Sequence, residues 1–222
     1  MNKQFPASGL YIITDHSLPD QQIINTTQAA LSAGANVVQL RHKISDAVQS
    51  EFQSRTLALA QVLLTLCHHY QVPLIINDDP QLAVQAGADG VHLGKDDTDI
   101  TSARQQLGDQ AIIGVSCYNS LELALQAQAK GANYIAFGRF FSSASKPDAT
   151  PADIQLLSQA RYQINIPIIA IGGITPENAG LLLDAGADYL AVIQGIYGQP
   201  DPSLAARNYL NVLDSSLQNP DT

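Results

Sequence analysis

Carboxylates follow two apolar runs that a helical segment separates. Asn77 and Asp78 come directly after residues 74–76, and Asp97 comes soon after residues 90–93. Apolar residues recur between the runs at helical spacing, so the pattern predicts strand, helix and strand. Adjacent parallel strands end at the same edge of a sheet. Oxygen ligands from neighbouring loops suit a hard cation that is shared with a substrate phosphate. We therefore predict that Asp78 and Asp97 bind Mg²⁺.

The neighbouring acidic residues have a structural explanation. Asp79 precedes Pro80, which is typical of a helix N-cap and first turn, and Thr98 or Asp99 can cap the next helix in the same way. Since acidic residues are common in loops, ordinary loop positions are the alternative for the other two carboxylates.

Composition favours one large cytosolic domain. The 222 residues are 45% hydrophobic and carry a net charge of −9, which disfavours a nucleic-acid or anionic-membrane surface. Cys67 and Cys117 form no CxxC pair, as expected in a reducing cytoplasm. The first residues lack the apolar core of a signal peptide, and the longest apolar run, 57–67, is too short to span a bilayer.

An internal repeat organises the chain. A small residue or lysine, then Gly-Ala and Asn or Asp, then an apolar run, occurs four times, with glycines at Gly34, Gly87, Gly131 and Gly186. Each glycine can end a helix in the left-handed conformation before the chain turns into a strand. Strands of a second class alternate with these four. We expect strands near 10–14, 36–41, 73–77, 89–93, 111–116, 133–138, 167–171 and 188–193.

Helical segments fill the gaps between these strands. They are expected near 20–33, 46–70, 80–86, 100–107, 119–130, 151–163, 176–185 and 203–214, with Pro151 opening one of them. Eight βα units predict an α/β fold, a closed (β/α)8 TIM barrel that forms a single domain over residues 1–222 with a polar tail from about 215. A doubly wound open sheet is the alternative, but it would not need four matched quarters.

The ends of the second and fifth strands carry polar side chains. Alternation along strand 2 places Gln39, Arg41 and Lys43 on one face, where two cations need an anion or a carboxylate partner. Ser116 could donate to a phosphate or simply belong to a turn. Cys117 has no activating His beside it, so we predict no nucleophilic role.

Three later loops could bind oxyanions. Ser143, Ser145 and Lys146 follow strand 6 and could clamp a pyrophosphate, although the same stretch could be a surface loop. Gly172-Gly173 follows strand 7, and Gln194 follows strand 8, where barrels often bind phosphate through backbone N–H groups. Two phosphorylated substrates, or one bisphosphate, would fit this set of residues.

Together these motifs resemble the thiamine-phosphate synthase family over nearly the whole chain. In the family's order they are YIITD at Tyr11, QLRxK at Gln39, IIND at Ile75, GADGVHLGxDD at Gly87, GVS at Gly114, SxSK at Ser143 and AIGGI at Ala170. The resemblance implies condensation of hydroxymethylpyrimidine pyrophosphate with a thiazole phosphate. The products would be thiamine monophosphate and pyrophosphate, formed by a dissociative route that Mg²⁺ assists.

The resemblance also implies site roles by position. Asp78 and Asp97 would bind Mg²⁺. The pyrimidine pyrophosphate would contact Gln39, Leu40, Arg41, His42, Lys43, Asn77, Ser116 and Lys146. The thiazole phosphate would contact Ser143, Ala144, Ser145, Gly173, Ile193 and Gln194. Within these sets, Arg41, Lys43, Ser116 and Lys146 would be catalytic, because they would stabilise the leaving group.

The chain departs from the family pattern at a few positions. His42 stands where Glu is frequent, Tyr118 interrupts a Ser-x-His pattern, and Gln194 stands where Ser is usual. Ser143 and Ser145 replace a Thr pair and keep the hydroxyls. Two alternatives share the phosphate site: the related thiazole tautomerase and a non-catalytic thiamine-precursor-binding protein. The sequence does not indicate an oligomeric state.

Overall fold

The computed structural model describes residues 5–42, 49–94, 97–142 and 151–218 and contains a closed barrel of eight parallel strands in chain order. Each strand pairs with the next, and β1 pairs with β8. The strands are β1 Gly9–Ile13, β2 Val37–Leu40, β3 Leu74–Asn77, β4 Gly90–Leu93, β5 Ile112–Tyr118, β6 Tyr134–Gly138, β7 Ile168–Ile171 and β8 Tyr189–Val192. The prediction of a (β/α)8 barrel is therefore confirmed.

Helices surround the strands. They are α1 Asp20–Ala33, α2 Gln49–His69, α3 Pro80–Ala86, α4 Ile100–Leu107, α5 Leu121–Ala129, α6 Gln155–Arg161, α7 Pro176–Asp184, α8 Gln194–Tyr197 and α9 Pro202–Gln218. The apolar residues form two cores, one between the strands and the helices and one inside the barrel. Leu10 and Ile12 face the helices, whereas Tyr11 and Ile13 face the barrel interior. This alternation follows from the two-residue repeat of a strand. Among the described residues, no helix is long and apolar enough to cross a membrane.

Several predicted helix ends are confirmed. Asp79 accepts a hydrogen bond from the Leu82 N–H at 2.9 Å, so it caps α3. Asp99 caps α4 through the Thr101 and Ser102 N–H groups. The four glycines of the repeat all have positive φ, as the left-handed helix end requires.

Several element boundaries differ from the predictions. Helix α6 begins at Gln155 rather than at Pro151, because the Asp153 carboxylate accepts the Gln155 N–H and forms a separate turn. Strand β8 ends at Val192 rather than at residue 193, and Gln194 begins the short helix α8, which was not predicted. Helix α9 continues to Gln218, past the predicted end at residue 214. The predicted start of the second helix, at residues 46–48, lies outside the described residues.

The Asn or Asp of each repeat makes the same hydrogen bond at the amino end of the barrel. Its side-chain oxygen accepts the backbone N–H near the start of the preceding strand, which fixes the register of that strand pair. The four bonds are Leu10 N–H to Asn36 at 2.8 Å, Leu74 N–H to Asp89 at 2.9 Å, Ile113 N–H to Asn133 at 2.8 Å and Ile168 N–H to Asp188 at 2.8 Å. The Asn or Asp of each repeat therefore fixes the register of one strand pair.

Removal of one such acceptor should destabilise the barrel. Asp89 is buried and also contacts His68 Nε2 at 3.0 Å. Asp89→Ala leaves the Leu74 N–H without this acceptor, and we expect a loss of about 2 kcal/mol in the free energy of unfolding. Asp89→Asn keeps an oxygen acceptor and should lose much less.

Urea unfolding of the three proteins tests this expectation. Asp109 lies at an exposed position, so Asp109→Ala is the control. Its free energy of unfolding should stay within about 0.5 kcal/mol of the parent value. Equal stability of Asp89→Ala and Asp109→Ala would show that the side-chain bond does not fix the register.

Candidate active site

A cavity of about 800 Å³ opens at the carboxyl ends of the strands. Such cavities are the usual ligand sites of barrel enzymes. Nine of the predicted site residues line it, namely Gln39, Arg41, Asn77, Asp78, Asp97, Ser116, Gly173, Ile193 and Gln194. These residues lie at the ends of six of the strands or in the segments that directly follow them.

The other predicted site residues fall into two groups. Leu40 is buried in the core between strands and helices, and His42 bonds Thr56 Oγ1 at 2.8 Å and stacks on Phe52. Neither side chain lines the cavity, although both were predicted to contact the pyrimidine substrate, because β2 directs them away from the barrel interior. Lys43, Ser143, Ala144, Ser145 and Lys146 lie outside the described residues.

Arg41 supplies positive charge to the cavity from the end of β2. Its backbone N–H donates to Thr14 Oγ1 at 2.9 Å, and the Thr14 hydroxyl donates back to the Arg41 carbonyl oxygen at 3.1 Å. Burial lowers the pKa of the half-buried guanidinium, while the charges of Asp78 and Asp15 oppose that shift. An arginine remains charged at neutral pH after such a shift. Arg41 is thus anchored through its backbone while its guanidinium faces two carboxylates.

The two candidate metal-binding carboxylates occupy neighbouring strand ends. Asp78 has a left-handed φ of 65°, and its N–H donates to the His92 carbonyl oxygen at 2.8 Å. Asp97 uses Oδ2 to accept the Gly94 N–H at 2.6 Å, which ties it to the end of β4. This bond engages one carboxylate oxygen of Asp97. The backbone therefore holds both acidic residues against the cavity.

The donor set fits Mg²⁺ better than a cation that needs a cage of protein ligands. Among the described residues, no group of three or more His, Cys, Asp or Glu side chains could hold a metal ion. Mg²⁺ commonly uses one or two carboxylates and completes its shell with water and phosphate oxygens. Asp78 and Asp97 match that requirement when a phosphorylated ligand supplies further oxygens.

Polar side chains cross the barrel interior along the wall of the cavity. Gln39 Nε2 donates to the Tyr11 hydroxyl at 2.8 Å, and that hydroxyl lies 2.9 Å from the Tyr134 hydroxyl. The Tyr134 hydroxyl lies 3.0 Å from His92 Nδ1, and His92 Nε2 lies 2.8 Å from Ser116 Oγ. These five residues form a hydrogen-bonded chain from β2 to β5. We call them the interior chain.

The opposite side of the cavity consists of closely packed backbone. Gly172 and Gly173 have positive φ, and a Cβ on Gly173 would lie 2.3 Å from the Ser142 carbonyl oxygen. These glycines therefore allow the chain after β6 to pack on the loop after β7. The hydroxyl of Tyr209, on α9, donates to the Ile174 carbonyl oxygen at 2.9 Å and holds the same loop from outside.

Several cavity residues were absent from the sequence-based prediction. They include Tyr11, His92, Tyr134 and Tyr209. Asp15 does not line the cavity but accepts a hydrogen bond from Gln194, which does. Strand alternation could have identified His92, because its neighbours Val91 and Leu93 face the helices. Tyr209 carried no such signal, since it reaches the loop from a helix that is distant in sequence.

The fold and the cavity define a single-domain (β/α)8 barrel enzyme with a polar, partly cationic ligand site. A family model described as thiamine monophosphate synthase matches residues 10–196. The chain belongs to that family.

Known relatives agree with this assignment over almost the full length. Thiamine-phosphate synthase of Nitrosococcus oceani is 50% identical over 202 residues, which cover 90% of each chain. The Methylococcus capsulatus protein of the same name is 47% identical over 91% of this chain and 88% of its own. The solved structure of thiamine phosphate pyrophosphorylase from Pyrococcus furiosus is 32% identical, with a TM-score of 0.83 and coverage of 97% and 98%.

Neither cysteine should react in the native protein. Cys67 and Cys117 are both buried free thiols, and burial raises the pKa of each, that of Cys117 to about 12. Since the thiolate is the reactive form, a disulfide reagent at pH 8 should modify neither thiol within minutes. After unfolding in urea it should modify both. Rapid native labelling of Cys117 would contradict the expectation that this residue has no chemical role.

Proposed function

We propose that this protein is a thiamine-phosphate synthase that joins hydroxymethylpyrimidine pyrophosphate to thiazole phosphate. One observation carries the proposal: a single cavity has carboxylates and a guanidinium on one side and glycine-rich phosphate-type loops on the other. A diphosphate with a metal suits the first side, and a monophosphate suits the second. The cavity is large enough for small ligands of drug size.

The pyrophosphate would lie against the ends of β2 to β5. Arg41 would donate to its oxygens, and Asn77 and Ser116 would supply neutral hydrogen bonds near the pyrimidine. Asp78 and Asp97 would hold Mg²⁺, which when bound would neutralise part of the pyrophosphate charge. Lys43 and Lys146 are proposed for the same end of the substrate from the family resemblance.

Departure of pyrophosphate would precede formation of the new bond. The carbon–oxygen bond to the pyrimidine methylene breaks and leaves a resonance-stabilised cation, which the thiazole nitrogen then captures. Negative charge grows on the leaving oxygen, so fixed donors such as Arg41 would act most strongly in the transition state. This route needs no protein nucleophile, and the buried, protonated thiol of Cys117 is consistent with that.

The thiazole phosphate would lie against the loops after β7 and β8. Gly173, Ile193 and Gln194 line this side of the cavity, and the first N–H groups of α8 precede the helix's internal hydrogen bonds. Backbone donors at such a site bind a phosphate whose charge is unchanged during the reaction. Ser143, Ala144 and Ser145 are proposed for this phosphate from the family resemblance.

The proposed function is tested by incubation of the protein with both phosphorylated precursors and Mg²⁺. Pyrophosphate release should require both precursors and should match thiamine monophosphate formation in amount. Interconversion of thiazole phosphate tautomers without pyrophosphate release would favour the tautomerase. Binding of both precursors without any product would favour a precursor-binding protein.

Replacement of the second Asp97 carboxylate oxygen should impair catalysis more than folding. Asp97→Asn can keep one oxygen for the Gly94 N–H, while the amide nitrogen cannot bind a cation. We expect turnover to fall by about 10²-fold, with partial recovery at high Mg²⁺ concentration and little change in the urea midpoint.

Asp99→Asn is the matched control for this variant. Asp99 caps α4 on the same loop, and asparagine caps helices equally well. The control should keep nearly full turnover. An Asp97→Asn protein with parental turnover in the presence of EDTA would contradict the proposed metal site.

The two ends of the cavity should respond differently to mutation. Arg41→Met removes a donor to the leaving group, so kcat should fall by about 10²-fold. Tyr209→Phe removes the hydroxyl that holds the Ile174 carbonyl, so the KM for thiazole phosphate should rise about fivefold while kcat changes little.

Steady-state kinetics with each substrate varied in turn distinguish these effects. Exposed Arg207→Met and Tyr162→Phe are the matched controls, and Tyr162 is 91% exposed. An effect of Tyr209→Phe on the pyrimidine substrate alone would reverse the assignment of the two ends. Gly173→Val is a poor probe, because its side chain would collide with the backbone near Ser142.

A further inference from the structure

The interior chain joins two residues that are proposed to contact the substrate. Gln39 begins it on β2, Ser116 ends it on β5, and Tyr11, Tyr134 and His92 lie between them. Gln39, Tyr11 and Tyr134 are almost fully buried, and His92 is 9% exposed. The distances between bonded atoms run from 2.8 to 3.0 Å. Buried polar groups in such a chain polarise and orient one another.

Neighbouring residues make room for the middle of the chain. A Cβ on Gly114 would lie 1.9 Å from the Tyr134 ring, so only glycine allows the ring to lie there. The Tyr134 ring stacks on the His92 ring, with 5.6 Å between centroids. Phe5 also stacks on the Tyr134 ring, with 4.4 Å between centroids. The rings are therefore packed in place.

The hydrogen positions along the chain follow from its first bond. The Gln39 amide nitrogen can only donate, so the Tyr11 oxygen accepts. Tyr11 is 1% exposed, so its own proton needs an acceptor, and among the described residues the Tyr134 hydroxyl lies within reach; we assign the Tyr11 proton to that bond. Burial raises the pKa of both tyrosines, so each keeps its single hydroxyl proton at neutral pH. The Tyr134 proton then points to His92 Nδ1. His92 must therefore carry its proton on Nε2.

We propose that His92 is a positioning residue that makes the Ser116 hydroxyl a hydrogen-bond donor to the substrate. His92 Nε2–H donates to Ser116 Oγ, so the serine proton is free to point elsewhere. Ser116 is partly exposed and lines the cavity. Its donor direction is thus set by a chain of bonds that begins on the opposite side of the barrel.

This inference rests on the proposed function and narrows the role of Ser116. A serine fixed as a donor matches an acceptor on the substrate, namely a pyrophosphate oxygen or a pyrimidine ring nitrogen. The chain thereby directs the Ser116 proton to an acceptor atom of the first substrate.

The tautomer of His92 tests the inference without any activity measurement. Long-range ¹H–¹⁵N spectra of the free, uniformly labelled protein separate protonated from unprotonated ring nitrogens, and the protein has 5 histidines to assign. The ring signals that are missing from the spectrum of His92→Gln belong to His92. We expect a proton on His92 Nε2 and none on Nδ1, because Nδ1 accepts the Tyr134 hydroxyl proton. A proton on Nδ1, or on both nitrogens, would overturn the proposal, because the chain would then run in the opposite direction or end at His92.

A double-mutant cycle tests whether His92 acts through Ser116. His92→Leu should lower kcat about tenfold, as expected when one orienting hydrogen bond is lost. The KM for thiazole phosphate should stay within about twofold, because the chain does not reach the loops after β7 and β8. His92→Gln can place an amide donor near Ser116 and should recover part of the loss.

The same change in a Ser116→Ala background should lower kcat by no more than about twofold, because the group that His92 orients is already gone. A full tenfold loss in both backgrounds, or no loss in either, would overturn the proposal. If the parent protein releases no pyrophosphate, the proposed function fails, while the NMR result still decides the direction of the chain.

Discussion

The register of the closed barrel is the constraint on which the site depends. Four side-chain oxygens at the amino ends of the strands, from Asn36, Asp89, Asn133 and Asp188, accept backbone N–H groups of the preceding strands. A shift of one residue in any strand would exchange its inward and outward side chains. The stabilising bonds lie at one end of the barrel, and the residues with proposed chemical roles lie at the other. This separation lets the loops at the carboxyl ends carry function.

Inward-facing positions serve two different purposes along the barrel axis. Buried polar side chains require hydrogen-bond partners, so the interior chain satisfies Gln39, Tyr11 and Tyr134 within the protein. Nearer the rim, Arg41 and the two candidate metal-binding aspartates are only partly buried and face ligand space. Their proposed ligand, magnesium pyrophosphate, would pair with the partly exposed charges of these three side chains. The interior chain thus links the buried interior of the barrel to the proposed substrate site near its rim.

The sequence predicted much of the architecture and the position of nine residues that line the cavity. Periodicity and the glycine repeat were sufficient for the barrel, and the rule that parallel strands end together was sufficient to place Asp78 and Asp97 at one cavity. The pairing of His92 with Tyr134 and Ser116 was not accessible, because those partners lie 42 and 24 positions away. Helix α8 escaped detection because its 4 residues are too few to show a period. The role of Gly173 in loop packing required the position of a distant backbone.

Simultaneous occupation of both ends of the cavity is the central requirement of this account. It is tested most directly by calorimetric titration with thiazole phosphate, with magnesium pyrophosphate, and with one ligand in the presence of saturating amounts of the other. The account predicts one site per chain for each ligand and binding of each in the presence of the other. Mutual exclusion of the two ligands would contradict it, since a single shared anion site could not hold both substrates for the reaction.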